Sequence, residues 1–495
     1  MKRIIPTLLS CTLTFAAALY ADVTPHALFC NHAVLQRDKP IPVWGQAAPG
    51  EKVTVRLADK IAETTVAGAD GRWSVRLPAQ PVGGPFTLVF EGKNRVEVTD
   101  VWLGDVWVCS GQSNMERQLG LRSGQKPIEN WEQAVATADY PKIRYFAEPG
   151  KWEVCSPQTA PHFTAVGYFF GRELHRQLQV PIGLINRSRG GTPAEKWIRQ
   201  ARLASDFPEI LAAHEKKIAD YPAVLDKYQA EEPALLKAWE EASAAAAAAG
   251  KPAPRKPKPP NDPRATNDQP SVYYQGLIAP LQPYAICGVI WYQGEANAHG
   301  AETYRSLFPA LIADWRAQWG QGDFPFLFVQ IAPYKSTPLE IRDAQLHAWR
   351  VTPNTAMVVT TDVGDADDIH PTRKEPVGAR LALAARALAY GEKIEYSGPR
   401  FISATAAGGK MIVRFDHLGG GLVAKDGPLR GFTISGDGKT FVPAEAAIVG
   451  DTVEVRAANV AAPLAVRYGW ANVPDVNLYN AAGLPASPFR SDGKP

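Results

Sequence analysis

Residues 101–116, "VWLGDVWVCSGQSNME", decide how the fold is read. The first eight residues form a β-like, almost wholly apolar run. A short run of this kind fits a strand buried on both faces, as in a parallel sheet. Gly111 permits a tight turn, and Ser113 then stands at the strand's carboxyl end. Open α/β sheets bind their ligands at that end. Ser113 has two readings here. It is a nucleophile, or, with Asn114, a cap on the segment that follows. The elbow G-x-S-x-G does not fit, because Met115 stands where the second glycine belongs.

The same texture extends through residues 99–392. Apolar runs such as "IGLIN", "ICGVIWY", "FPFLFVQIA" and "TAMVVTTD" alternate with helical stretches such as "ETYRSLFPALIADWRAQWG" and "PVGARLALAARALAYG". Strands alternating with helices predict an α/β domain on a largely parallel sheet. Residues 22–98 read as a sandwich-like β module: "KVTVRL" and "RWSVRL" alternate, and Asp70-Gly71 marks a hairpin turn. Residues 396–495 return to β texture as a second module, which stands alone or pairs with the first. An insert at about 209–268 interrupts the α/β domain. It is first rich in Ala, Glu and Lys, hence helical, and then becomes "KPAPRKPKPPNDP", where proline forbids a helix. It reads as a surface excursion.

The chain has 495 residues, a net charge of +3 and a hydrophobic fraction of 45%. That is globular, with no general attraction to nucleic acid or anionic membrane. Residues 1–21 read as a signal peptide: Lys2 and Arg3, an apolar run, then a small residue at Ala21. Export to the periplasm or medium is therefore expected, with no membrane span. Beyond Ala21 the cysteines are Cys30, Cys109, Cys155 and Cys287, without a CxxC pattern. Cys109 and Cys287 read as buried thiols. Export also permits a disulfide from Cys30 or Cys109 to Cys155.

A nucleophilic serine needs a base. Of nine histidines, His370 in "DVGDADDIHPTRKEPVG" has an acid pattern beside it, Asp367 and Asp368, and follows a strand-like run. On a tight turn the carboxylate at minus three, Asp367, can reach Nδ1 of the imidazole and leave Nε2 free for the serine proton. A solvated acidic loop is the alternative, or a calcium loop through Asp362, Asp365 and Asp367, whose spacing departs from the EF-hand. Gly190-Gly191 lets a backbone amide approach a substrate closely. "QGEAN" (293–297) ends another strand in polar residues.

Five ordered blocks carry a resemblance: "GDVWVCSGQSNME", "GLINRSRGGTPAEKWI", "YYQGLIAPLQPYAICGVIWYQGEANA", "FPFLFVQIAPY" with "IRDAQ", and "DIHPTRKEPVGARLA". Together they resemble the SGNH (GDSL-like) hydrolases, and more closely the sialate O-acetylesterase branch of bacterial carbohydrate acetylesterases. The resemblance implies a three-layer α/β/α domain flanked by the two β modules, serine esterase chemistry and neither metal nor cofactor. It implies Ser113 as nucleophile, His370 as base and Asp367 as acid, with Asp368 the alternative. The oxyanion donors implied are the Ser113 amide, Gly190 or Gly191, and a side chain from Gln293 or Asn297. The usual G-x-N-D block departs here, since Ala296 stands where asparagine is expected. Gln112, Asn114, Glu295, Arg342 and Gln345 match positions expected near substrate.

The activity so implied is hydrolysis of O-acetyl esters on sugars, sialic acid first and acetylated xylan second. Sialic acid carries a carboxylate, so Arg187, Arg189, Lys196 and Arg342 are its candidate partners. Trp197, Tyr273, Tyr274 and Tyr334 are candidates for stacking on a sugar ring. A non-catalytic glycan-binding protein is the rival of another class.

Overall fold

The computed structural model describes residues 22–58 and 61–493. The expected leader, residues 1–21, lies outside them. The apolar run of the opening stretch becomes part of one long strand, Arg95–Gly111, and its last nine residues are all buried. Ile182–Ser188 pairs with it in parallel on one side and Gly288–Tyr292 on the other. Outward lie Tyr140–Ala147 beyond the first, and Phe326–Val329 then Thr355–Val358 beyond the second, all parallel. An antiparallel strand, Lys151–Cys155, closes one edge.

Side-chain alternation along the strands separates two cores. Val106, Val108, Ile185, Val289 and Trp291 face the helices Ala301–Trp319 and Glu340–Val351. Trp107, Cys109, Leu184, Ile290 and Tyr292 face the helices Ala165–Leu178 and Glu375–Leu388. Helices therefore cover both sheet faces. This explains the continuous hydrophobicity of "VWVC" and "VIWY": neither face meets water.

The amino-terminal half of the long strand belongs to the other β region. It pairs with Gly83–Glu91 and, in parallel, with Val34–Gln36. The expected boundary at 98/99 therefore falls within a single strand. Asp105, 2% exposed, holds the junction: it accepts from Arg37 Nε at 2.9 Å and from Gln36 Nε2 at 3.2 Å. Among the described residues, the strands of 400–490 pair only with one another, so the carboxyl-terminal β region adds no strand to the amino-terminal one.

The insert is a 41-residue helix, Pro208–Ala248, in which no residue is buried. The proline-rich segment folds back along it: Trp239 Nε1 donates to the Pro254 carbonyl at 2.8 Å. All four described cysteines are free thiols. The disulfide that export permits is not formed.

Candidate active site

Gly111 ends the long strand with φ +126°, and a Cβ there would stand 2.2 Å from the Tyr292 carbonyl. Only glycine allows this approach. The chain then turns into one short helical turn, Ser113–Glu116, in which Met115 is buried. No side chain caps this turn. Ser113 is thus free of the capping role open to it in the sequence. Its Oγ lies 2.8 Å from Nε2 of His370, a residue 257 positions away.

His370 sits in a loop between the strand Thr355–Val358 and the helix Glu375–Leu388. The acid beside it is Asp368, not Asp367. Asp368 Oδ1 lies 3.8 Å from Nδ1 and accepts the backbone N–H of His370 at 2.8 Å. Asp367 points away: it is 75% exposed and pairs with Lys335 at 2.7 Å. The tight turn that would have carried a carboxylate at minus three back to the ring is replaced by the two-residue Asp368 turn. Burial lowers the imidazole pKa, Lys374 and Arg117 lower it further, and Asp368 alone opposes them. The neutral base form is therefore favoured. The other acidic residues of the loop have separate cations: Asp362 pairs with Arg380 and Asp365 with Lys126, each at 2.6 Å.

Most residues expected to contact substrate instead build the frame. Gln112 Oε1 accepts the amides of Gly294 and Ala296 at 3.3 and 3.2 Å, which joins two strand ends. Asn114 is fully buried and donates to Glu295 Oε1 at 2.6 Å and to the Ile369 carbonyl at 3.0 Å. Gln345, also fully buried, accepts the Ile331 amide and donates to the carbonyls of Gln293 and Val329. Arg342, 1% exposed, donates to four carbonyls, those of Ile331, Ala332, Ala471 and Asn472. It staples the sheet edge to the carboxyl-terminal β region. In each case a buried polar group must find a partner, and here the backbone supplies it.

The oxyanion candidates divide. No acceptor among the described residues takes the Ser113 amide or the Gly191 amide. The Gly190 amide is occupied, donating to Glu116 Oε2 at 3.1 Å. Gln293 is fully buried, and its Nε2 is spent on the Thr192 carbonyl and on Asn297 Oδ1. Asn297 is half-buried and donates one N–H to Glu195 at 3.0 Å, which leaves its second amide hydrogen. Of the aromatic candidates, Trp197 and Tyr274 are core residues.

Sequence reasoning passed over three site residues. Lys374, fully buried, donates to Asn114 Oδ1 at 2.6 Å. Burial pushes its pKa down to about 7. Arg117, 2% exposed, donates to the His370 carbonyl at 2.5 Å. Glu116 covers the Gly190 amide. Each lies within four residues of Ser113 or His370, and that proximity was the available signal.

The family model for carbohydrate esterases described as sialic acid-specific acetylesterases matches residues 103–242 and 270–387. The chain belongs to this family. Membership makes it a carboxylic ester hydrolase acting on O-acetylated carbohydrate, which sets aside the non-catalytic reading. Sialate O-acetylesterase of Rattus norvegicus is 33% identical over 427 residues, 74% of this chain and 74% of that protein. The Homo sapiens enzyme is 30% identical over 419 residues, 74% of this chain and 72% of its own length. A solved carbohydrate acetylesterase from Xanthomonas citri is 37% identical, with a TM-score of 0.79 over 96% of this chain and 100% of that one.

Proposed function

We propose that the chain removes O-acetyl groups from sialic acids, using Ser113 as nucleophile, His370 as base and Asp368 as orienting acid, on a domain of the SGNH three-layer type. The observation that carries this reading is the 2.8 Å contact between Ser113 Oγ and His370 Nε2. Nε2 takes the hydroxyl proton as Oγ attacks the acetyl carbonyl carbon. The oxyanion accepts from the Ser113 amide, with Gly191 and the spare Asn297 hydrogen as further donors. The imidazolium then returns the proton to the departing sugar oxygen, leaving an acetyl-enzyme. Water, activated by the same nitrogen, releases acetate and restores Ser113.

The test is acetate release from 9-O-acetyl sialic acid by wild type and Ser113→Ala. A drop of at least about a thousandfold is expected, and undiminished turnover rejects the assignment. The Xanthomonas citri neighbour is a carbohydrate acetylesterase whose description names no sugar. Acetyl-xylan is accordingly the second substrate to assay.

The proposed organisation is a leader at 1–21, a β module at 22–98, the hydrolase domain at 99–392 with its insert, and a β module at 396–495, the first two folded units sharing the strand Arg95–Gly111 across the 98/99 boundary. The basic start, apolar run and small residue at Ala21 support export to the periplasm or medium. Among the described residues no helix is long and apolar enough to cross a membrane.

A further inference from the structure

The carboxyl edge of the sheet carries a cavity of about 350 Å³ beside the Ser113 turn, lined by Glu116, Arg122, Glu148, Asn186, Arg187 and Arg189 among others. Arg187 is the last residue but one of the strand Ile182–Ser188, next to the nucleophile's strand, and stands in register with Ser110. Its guanidinium lies over the Phe146 ring, 5.1 Å from the centroid, and Nη1 donates to the Asn186 carbonyl at 2.9 Å.

Four cations were candidates for a substrate carboxylate, and three are already committed. Arg342 is held by carbonyls away from the nucleophile. Lys196 pairs with Asp268 at 3.2 Å, and Arg189 with Glu148 at 3.2 Å. Arg187 has no carboxylate within ion-pairing distance among the described residues, and unlike Arg342 it donates to a single carbonyl, that of Asn186. The two acids of the cavity wall are otherwise engaged, Glu148 by Arg189 and Glu116 by the Gly190 amide. Desolvation acts on Arg187 all the same and lowers its pKa. Glu148 opposes that shift only from beyond ion-pairing distance. A guanidinium taken partly out of water with no anion in contact is an incomplete arrangement, and a carboxylate completes it through two parallel hydrogen bonds.

The position suits one end of an acidic sugar. A Cβ on Gly190, the residue after Arg189, would lie 3.5 Å from Ser113 Cβ, so the cavity borders the nucleophile's turn. Ser113 itself is not part of the wall. The site is therefore set off from the reacting oxygen. In a sialic acid acetylated on its glycerol chain, the ester and the ring carboxylate are likewise at opposite ends.

We propose that this cavity is a carboxylate subsite in which Arg187 pairs with the carboxylate of an acidic sugar whose acetyl ester rests on Ser113. The inference rests on the esterase reading above and adds to it the residue and the cavity that would discriminate an acidic sugar from a neutral one.

The test compares acetate release from 9-O-acetyl sialic acid and from its C1 carboxamide. In wild type the ratio of kcat/KM, acid over amide, should exceed about ten, the factor a charge-assisted bidentate pair supplies. In Arg187→Met the ratio should fall to near one, and Arg187→Lys should keep part of it. A partly unfolded variant lowers both rates and leaves their ratio unchanged. A wild-type ratio near one overturns the subsite, and a high ratio surviving in Arg187→Met overturns the role of Arg187. If wild type releases no acetate from either sugar or from p-nitrophenyl acetate, the esterase reading itself has failed.

Discussion

Lys374 Nζ donates to Asn114 Oδ1 across 2.6 Å, and both side chains are wholly buried. The other end of the same amide donates to Glu295 and to the Ile369 carbonyl. One asparagine, adjacent to the nucleophile, thus joins a cation, a carboxylate and the backbone beside the base. Lys374 and Ile369 come from the loop after Thr355–Val358 and Glu295 from the end of Gly288–Tyr292, and the amide ties both to the turn after Arg95–Gly111.

Asn114→Leu removes that joint and leaves two buried ionisable groups without their shared partner. A loss of about 3 kcal/mol in urea unfolding is expected, at the lower end for broken buried ion networks. In the variant that still folds, kcat should fall at least about tenfold, because Ile369 and hence His370 lose their anchor. Unchanged kcat would show that the network serves stability alone.

Lys374 also predicts how stability depends on pH. Its folded pKa is lowered from 10.5 to about 7. Between those values the unfolded chain binds more protons than the folded one, so stability rises with pH. This contribution is lost as pH falls towards 7. Lys374→Met should flatten the curve over this window in denaturant titrations at several pH values.

The pH–rate profile reports on His370. Its pKa lies below the usual 6.5, so the acid limb of kcat/KM should fall below that of an ordinary histidine. Asp368 is the group that raises this pKa, so Asp368→Asn should move the limb to still lower pH and cut kcat by about 10–100-fold. Asp367→Asn should leave kcat within about twofold, since its carboxylate serves only Lys335. The reverse pattern would return the acid role to Asp367.

Gly190→Ala tests the contact between the glycine loop and the nucleophile's turn. The new methyl would meet Glu116 Oε2 at 2.7 Å and Ser113 Cβ at 3.5 Å. Glu116 must shift, and its bond from the Gly190 amide goes with it. A fall in kcat of about tenfold is expected, with little change in Tm because Gly190 is exposed.

Arg342→Met removes four bonds to carbonyls that span the sheet edge and the carboxyl-terminal β region. Unpairing buried acceptors should cost about 3 kcal/mol by calorimetry or urea. The acid limb of the rate profile should stay in place, because Arg342 contributes nothing to the His370 shift.

The strands were legible because burial on both faces leaves an unmistakable apolar run, as in "VWVC" and "VIWY". The long helix of the insert showed in its Ala, Glu and Lys. Ser113 and His370 were legible only as a pair, since neither stretch means much without the other. Direction was not legible. A motif says that Arg342 and Gln345 recur but not that they point into the frame, and both proved buried. The same limit separated Asp367 from Asp368: adjacent residues in a turn can face opposite ways, and only the backbone decides which reaches the imidazole. Lys374 was missed because a lysine in the polar loop "HPTRKE" reads as surface, and its burial among Asn114 and Glu295 depends on residues more than 70 positions away.

The unbroken strand Arg95–Gly111 bears on ancestry. Its first half is a sheet member of the amino-terminal region, and its last residues lead directly into Ser113. Recombination at residue 98 would strip Trp102, Leu103 and Gly104 of the partners Val34, Leu35 and Gln36, and would leave a raw edge at the centre of the enzyme. The catalytic sheet and that region therefore form one unit that a crossover cannot divide, whereas the carboxyl-terminal strands pair among themselves and join it through side chains such as Arg342.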